Sequence, residues 1–154
     1  MIKRELYMSR IRPFIGSEVI KVMTGIRRSG KSVMLELIKE ELLESGVSAQ
    51  QFISINFEDM RNASLCKAEA LHEEILARAA GQKGKVYLFF DEIQEVKDWE
   101  KCVNSLRVAL DCDIYITGSN AKLLSGELAT YLGGRYVEFI IYPFSFGEFL
   151  ELYR

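Results

Sequence analysis

Cysteine and histidine are scarce in this 154-residue chain, which limits the kinds of site it can build. The three cysteines, Cys66, Cys102 and Cys112, are odd in number and show no C-x-x-C spacing, and His72 is the only histidine. A disulfide framework needs paired cysteines, and a structural zinc site needs closely spaced Cys and His ligands. The sequence therefore predicts neither, and we expect a reduced, cytoplasmic chain in which no cysteine takes part in chemistry.

Net charge and long apolar runs are lacking as well. The formal charge is −2 and the pI is near 5.6, so the chain has no overall basic surplus of the kind that favours nucleic acid. No stretch approaches the ~18 apolar residues of a membrane-spanning helix, and the first residues lack the apolar core of a secretory signal. With 49% apolar residues, the sequence predicts one soluble domain with a sizeable core and no membrane partner.

The most informative segment is GIRRSGKS, from Gly25 to Ser32, which fits G-x-x-x-x-G-K-[ST] at every fixed position. It follows an apolar run over residues 19–24 that predicts a buried strand and precedes an amphipathic segment that predicts a helix. In such a P-loop, the glycines let backbone N–H groups converge on phosphate oxygens at a helix N-terminus. The sequence predicts nucleotide contacts from these residues: Gly25, Ile26, Arg27, Arg28, Ser29, Gly30, Lys31, Ser32 and Val33.

Four side chains of this loop have a more specific interpretation. Lys31 places a charge near the β and γ phosphates, and the Ser32 hydroxyl is suited to coordinate Mg²⁺. Arg27 and Arg28 leave two interpretations open, because adjacent cations can grip phosphates or point outward to a partner. We favour the outward direction for at least one of them, and solvated charge is the alternative for both.

A second motif, YLFFDE, ends in Asp91 and Glu92. The five apolar residues over 86–90 predict a strand buried on both faces that delivers two carboxylates at its tip. This is a Walker B pattern, which predicts that Asp91 holds Mg²⁺ through water and that Glu92 polarises the attacking water.

Polar residues also follow the other predicted strands, and their roles stay open. Glu58 and Asp59 either bind metal or nucleotide, or merely start a solvated loop after the strand over 52–57. In the strand over 113–120, Thr117, Ser119 or Asn120 could sense phosphate. The alternative is that Ser119 or Asn120 caps the next helix.

Arg135 follows two glycines and precedes the last predicted strand, over residues 136–142. The glycines allow a sharp turn that fixes where Arg135 projects, and a guanidinium can stabilise the charge on a transferring phosphoryl group. A plain surface arginine at a strand start is the alternative. Beyond this strand, Ser145 and Glu148 match a capping box that predicts a further helix.

Helical spacing of apolar residues predicts the remaining elements. A short amphipathic helix is expected over residues 2–15 with Ile2, Leu6 and Ile11 on one face, and longer helices are expected after Ser32 and over 64–80. Asp98 is expected to cap the helix that begins at Trp99.

Together, the segments GIRRSGKS, INFED, YLFFDEIQEVKDW, YITGSN, LGGR and YPFSFGEF resemble the nucleotide-binding core of AAA+-like ATPases of bacteria and archaea, over nearly the whole chain. The resemblance implies a three-layer α/β P-loop NTPase fold, with a mostly parallel five-stranded sheet in the order 5-1-4-3-2 and helices on both faces. It also implies ATP and Mg²⁺ as cofactors. Residues 117–120 resemble the sensor-1 position, and Arg135 resembles an arginine that acts in its own subunit or across an interface.

The resemblance also leads to expectations about the domain organisation and the function. We expect an N-terminal helix over 1–15, a nucleotide-binding core over 16–142, and the start of a truncated helical region over 143–154. Family members usually continue further, so this is expected to be the N-terminal part of a longer protein. A homo-oligomer and a protein or DNA partner, reached through the C-terminal region, stay open for the full-length form. The leading hypothesis is slow Mg²⁺-dependent ATP hydrolysis that uses Glu92, Lys31, Arg135 and Asn120. The alternatives are a nucleotide-gated binding module with negligible turnover and, less favoured, a small-molecule kinase.

Overall fold

A computed structural model of the chain describes residues 4–26, 29–119 and 132–143. The described helices and strands alternate along most of the chain, which is the pattern of an α/β fold. In chain order they are α1 (Glu5–Ile11), β1 (Ile20–Gly25), α2 (Lys31–Glu44), β2 (Phe52–Asn56), α3 (Ala68–Ala79), β3 (Val86–Asp91), α4 (Trp99–Ala109), β4 (Cys112–Ser119) and β5 (Tyr136–Ile140). Short 3₁₀ turns occupy Arg12–Phe14, Ala49–Gln51, Met60–Leu65 and Ile93–Glu95.

The five strands form one sheet in the order β2-β3-β4-β1-β5, and every neighbouring pair is parallel. The predicted order and fold class are therefore confirmed, and the described sheet is fully parallel where a mostly parallel one was expected. Parallel strands bring their carboxyl ends to one edge of a sheet. Gly25 lies opposite Ser119 at that edge, and Asn56 lies opposite Asp91.

Helices cover both faces of the sheet, and alternate residues along the strands pack into two separate hydrophobic cores. One core packs α3 and α4 against strand residues such as Leu88 and Phe90. The other packs α1 and α2 against Phe89 and its neighbours. Because consecutive strand side chains point to opposite faces, the apolar run of β3 supplies both cores, which explains why it contains no polar residue before Asp91.

The first helix differs from its prediction. It begins at Glu5. Ile11 is buried as expected, but Leu6 is 66% exposed, so the prediction for Leu6 was wrong, and Ile2 lies outside the described residues. Tyr7 and Met8 join Ile11 in the buried stripe, since the spacing of these three residues keeps them on one helical face.

The other helices show smaller differences. A 3₁₀ turn replaces the expected first turn of α3, which starts at Ala68. Asp98 precedes α4 with a left-handed φ of 58° and its side chain makes no capping hydrogen bond, so the predicted cap was wrong. Cys102 lies on the buried face of α4, and burial raises the pKa of its thiol to about 12.

Several predictions lie outside the described residues: those for Arg27, Arg28 and Asn120, the helix after Asn120, and the capping box beginning at Ser145. Within the described ranges, the structure has no helix that is long and apolar enough to cross a membrane.

Candidate nucleotide-binding site

The loop between β1 and α2 lies at the carboxyl edge of the sheet. Gly30 adopts a φ of 99°, a left-handed conformation that favours glycine, and it immediately precedes α2. A Cβ on Gly25 would collide with the carbonyl oxygen of Ile141, so that position also requires glycine. The first intrahelical bond of α2 runs from the Met34 N–H to the Gly30 carbonyl, which leaves the preceding N–H groups at the positive end of the helix.

Lys31 connects this loop to two strands. Its Nζ lies 2.9 Å from Glu92 Oε1, and it donates hydrogen bonds to the Gly25 carbonyl at 3.0 Å and to Ser119 Oγ at 3.2 Å. The ammonium is therefore buried and held by oxygen atoms. An anion that replaced these partners would find the cation already in position.

Ser32 and Asp91 meet beside the lysine. Ser32 Oγ donates a hydrogen bond to Asp91 Oδ2 at 2.7 Å, and Thr117 Oγ1 donates to Asp91 Oδ1 at 2.5 Å. Thr117 Oγ1 also accepts a hydrogen bond from the Glu92 N–H at 2.9 Å, so one hydroxyl of β4 orients both acidic residues.

Glu92 has both carboxylate oxygens engaged and a strained backbone, with a left-handed φ of 58°. In addition to Lys31 at Oε1, Oε2 accepts hydrogen bonds from Gln94 Nε2 at 2.6 Å and from Ser119 Oγ at 3.0 Å. Burial acts to raise the pKa of this carboxyl, but the hydrogen bonds from Gln94 and Lys31 outweigh it and the pKa is lowered. Glu92 is therefore a carboxylate near neutral pH, which is the form that a general base requires.

The donor set fits a magnesium nucleotide. Mg²⁺ prefers hydroxyl and carboxylate oxygens and usually takes only one or two protein carboxylates, with water and phosphate completing its shell. Ser32 and Asp91 meet that description, and the described residues contain no cluster of three or more His, Cys, Asp or Glu that suggests another metal centre. Ser29 Oγ is buried inside the loop without a hydrogen-bond partner among the described residues, as a donor reserved for a ligand would be.

A cleft of ≈ 460 Å³ opens beside these groups, between the start of α2 and the end of β2. Its lining includes Ser32 and Val33 from α2, Asp91 from β3, and Ser54 and Asn56 from β2. Val33 and Ile26 are both exposed, so the two apolar residues predicted to contact nucleotide are accessible.

The predicted site residues are thus brought together only in part. Arg135 is exposed and precedes β5, and its carbonyl accepts a hydrogen bond from the Ile20 N–H at the start of β1. It therefore lies at the amino edge of the sheet, while the loop lies at the carboxyl edge. At about 3.3 Å per residue along β1, the two are separated by roughly 16 Å of strand, which does not support the version in which Arg135 acts in its own subunit.

The Asp59 side chain, in the loop after β2, is paired within that loop. Asp59 Oδ1 accepts a hydrogen bond from the Arg61 N–H at 3.0 Å, and both Asp59 oxygens pair with the Arg61 guanidinium. The side-chain hydrogen bond from Arg61 lowers the pKa of Asp59 to about 2. The Glu58 N–H donates to Asn56 Oδ1 at 3.0 Å.

Two residues in contact with the site escaped the sequence reasoning. Gln94 lies two positions beyond Glu92, in the turn that follows the two carboxylates. This closeness in sequence could have predicted its contact with Glu92. Arg4 donates a hydrogen bond to the Ser29 carbonyl at 2.6 Å, although the two residues are 25 positions apart in the sequence. No local sequence pattern predicts that contact.

The strand order and the loop between β1 and α2 are those of a P-loop NTPase fold of the AAA type. The family model of the AAA domain matches residues 17–150, and the chain belongs to that family. The resemblance to AAA+-like ATPases that the motifs indicated is thereby confirmed.

Two relatives are longer than this chain. It is 46% identical over 151 residues to an uncharacterized protein of Haemophilus influenzae, covering 98% of this chain and 38% of that protein. It is 42% identical over 133 residues to an uncharacterized protein of Methanocaldococcus jannaschii, covering 86% of this chain and 28% of that one. The chain thus spans well under half the length of both relatives.

Solved structures of low sequence identity share the fold. A DNA polymerase III gamma subunit-related protein of Thermotoga maritima superposes with a TM-score of 0.65 at 12% identity, covering 95% of this chain and 48% of that chain. AMPPCP-bound DnaA from Aquifex aeolicus gives 0.56 at 16% identity, with coverages of 90% and 47%. PCH-2 of C. elegans gives 0.59 at 14% identity, with coverages of 92% and 40%. At these identities the likeness concerns the fold alone.

Proposed function

We propose that this chain binds ATP together with Mg²⁺ and hydrolyses it slowly, as the ATPase part of a longer protein. The observation that carries the proposal is the meeting of the P-loop and Walker B side chains: Lys31 Nζ lies 2.9 Å from Glu92 Oε1, and Ser32 Oγ lies 2.7 Å from Asp91 Oδ2. The AMPPCP in the related DnaA structure supports a triphosphate as the ligand.

In this mechanism Ser32 and Asp91 are the residues that would hold Mg²⁺, and the metal would supply positive charge next to the phosphates. Lys31 exchanges its contact with Glu92 for the phosphate oxygens, because a triphosphate offers more negative charge than one carboxylate. The exchange frees Glu92 Oε1 to accept a proton from water, whose oxygen attacks the γ phosphorus while the bond to the leaving ADP oxygen breaks. Thr117 and Ser119 keep the two carboxylates oriented throughout.

A nucleotide-gated binding module with negligible turnover is the second candidate function. It is favoured by the engagement of both Glu92 oxygens by Lys31, Gln94 and Ser119, which restrains the base. A homo-oligomer and a protein or DNA partner, reached through parts of the longer protein outside this chain, belong to either version. Turnover per ATP bound separates the two functions.

The first test compares Lys31→Ala with wild type by calorimetric titration of ATP and Mg²⁺. Loss of a charge-assisted contact of about 1.5–3 kcal/mol should weaken affinity roughly 10- to 100-fold. Lys101→Ala is the control, since Lys101 is exposed on α4. A folded Lys31→Ala protein that binds ATP as wild type does would refute the P-loop assignment.

The same experiment is completed with Glu92→Gln, which keeps the shape of the side chain and removes the base. ATP should still bind, and the hydrolysis rate should fall about 10²- to 10⁴-fold, as expected for loss of a general base. Glu95→Gln is the matched control, because Glu95 is exposed and lies three positions further along the same turn. Unchanged hydrolysis in Glu92→Gln would exclude Glu92 as the base.

A further inference from the structure

We propose that Arg4 is a positioning residue for the phosphate-binding loop, which sets the direction of the Gly30 N–H by holding the carbonyl of Ser29. The inference rests on the proposed nucleotide binding and goes beyond it, since Arg4 lies outside the P-loop and Walker B motifs. Arg4 immediately precedes α1, is only 4% exposed, and donates from Nη1 to the Ser29 carbonyl at 2.6 Å.

The physical basis is the geometry of one peptide unit. Ser29 C=O and Gly30 N–H belong to the same peptide group, and the described residues contain no cis peptide bond. In a planar trans peptide the C=O and N–H point in opposite directions. When Arg4 fixes the carbonyl on its own side, the Gly30 N–H is turned to the other side, where a phosphate oxygen can accept it.

The guanidinium also joins the loop to the end of the sheet. Nη2 of Arg4 donates to the Tyr142 carbonyl at 2.6 Å, just beyond β5. The Tyr7 ring lies 4.5 Å from the guanidinium carbon, and Tyr7 Oη accepts the Tyr142 N–H at 3.0 Å. A planar fork can reach two carbonyls at once, whereas a lysine ammonium is a single point of contact. Burying such a charge is unfavourable without these partners, which indicates that the contacts define the position of Arg4.

Gly30 shows how closely Arg4 approaches the loop. A Cβ built on Gly30 would lie 2.8 Å from Arg4 Nη1, so the arginine occupies the space that a side chain would need. Arg4 and the left-handed φ of Gly30 therefore constrain the same backbone from two directions.

The decisive variant is Arg4→Lys, which keeps the positive charge but has no planar guanidinium to donate to both carbonyls. Arg4→Gln is measured as a second variant, so that the test can still be made if one of the two proteins does not fold. With the loop less well ordered, the dissociation constant for ATP and Mg²⁺ should rise about 5- to 10-fold, as expected for one weakened hydrogen bond. The single-turnover hydrolysis rate at saturating ATP should change less than threefold, because Arg4 acts on binding and does not touch the reacting atoms.

Tyr7→Phe is the matched control. It removes the hydroxyl that accepts the Tyr142 N–H, but it keeps the ring beside Arg4 and the bond from Arg4 to Ser29. General loosening of the α1 contact would weaken ATP binding in this variant too, whereas the positioning role predicts affinity within about twofold of wild type.

The possible results are distinguishable. If wild type takes up no ATP, the proposed function fails, and the role of Arg4 fails with it. If wild type binds ATP and the folded Arg4→Lys and Arg4→Gln proteins bind equally well, only the inference about Arg4 is overturned. Equal losses in Tyr7→Phe and Arg4→Lys would also overturn it. A change in the Gly30 amide resonance of ligand-free Arg4→Lys, with affinity loss confined to the Arg4 variants, would support it.

Discussion

Lys21→Met should destabilise the fold strongly, because it breaks a fully buried ion pair at the amino edge of the sheet. Lys21 and Asp113 have no exposed side-chain surface, and Lys21 Nζ contacts Asp113 Oδ1 and donates to the Ser17 carbonyl at 2.8 Å. The carboxylate also accepts hydrogen bonds from Tyr115 Oη at 2.6 Å and from the Gly16 N–H at 2.8 Å. The pair thus anchors the turn that precedes β1.

The expected loss of unfolding free energy depends on the hydrogen bonds that Asp113 keeps when Lys21 is replaced. Removing one partner of a buried pair costs about 3–5 kcal/mol, since the other charge stays buried without compensation. Two hydrogen bonds still reach Asp113 from Tyr115 and Gly16, so we expect the lower end, about 3 kcal/mol. For a chain of this length that corresponds to a fall in melting temperature of about 6–12 °C.

Urea unfolding followed by circular dichroism measures this cost. Arg78→Met is the control, because Arg78 pairs with Glu74 at 2.6 Å within α3 and the two side chains are 42% and 37% exposed; its cost should stay below about 1 kcal/mol. In the Asp113→Asn background the cost of Lys21→Met should fall by about 1–3 kcal/mol, since a neutral amide needs no cation. Equal, small costs for Lys21→Met and Arg78→Met would refute the reasoning. ATP affinity should not change, because the pair lies far from the loop.

Two further predictions concern the edges of the sheet. Gly25→Ala should destabilise the protein by about 1–3 kcal/mol and abolish ATP binding, because the added Cβ would collide with the Ile141 backbone oxygen. Gly81→Ala is the control, since a Cβ there meets nothing within 4 Å. Urea unfolding and ATP titration should show no change for Gly81→Ala. Arg135→Ala should leave the hydrolysis rate per chain unchanged at low protein concentration and abolish any rise in that rate at high concentration. Fast, concentration-independent hydrolysis that disappears in Arg135→Ala would contradict this expectation.

Much of the fold could be predicted because its signals are local. The observed limits of each strand lie within two residues of the predicted ones, since buried parallel strands are short apolar runs that end at polar or glycine residues. Gly25, Lys31 and Asp91 were placed at strand and helix ends by motifs whose spacing is fixed by the geometry of the loop. The strand order came from the resemblance, because nothing in a single strand specifies its neighbours.

The rest could not be predicted because it depends on residues far apart in the chain. Lys21 and Asp113 are 92 positions apart. Lys21 lies inside an apolar run and Asp113 directly precedes one, and neither local sequence indicates the partner. Arg4 and Tyr142 are 138 positions apart. The error at Leu6 has a different cause, since a helix of two turns leaves several apolar stripes nearly equal, and packing against α2 decides among them.

The placement of Arg135 bears on how chains would meet. The loop with Lys31 lies at the carboxyl edge of the sheet, whereas Arg135 is exposed at the amino edge, so one chain presents the two groups on different surfaces. If Arg135 reaches phosphates, it reaches those of another chain. A contact that joins two different surfaces is heterologous, and repetition of it closes a ring or extends a filament, whereas a two-fold dimer uses the same surface twice. The rise in activity tested with Arg135→Ala should therefore accompany assemblies larger than a symmetric dimer.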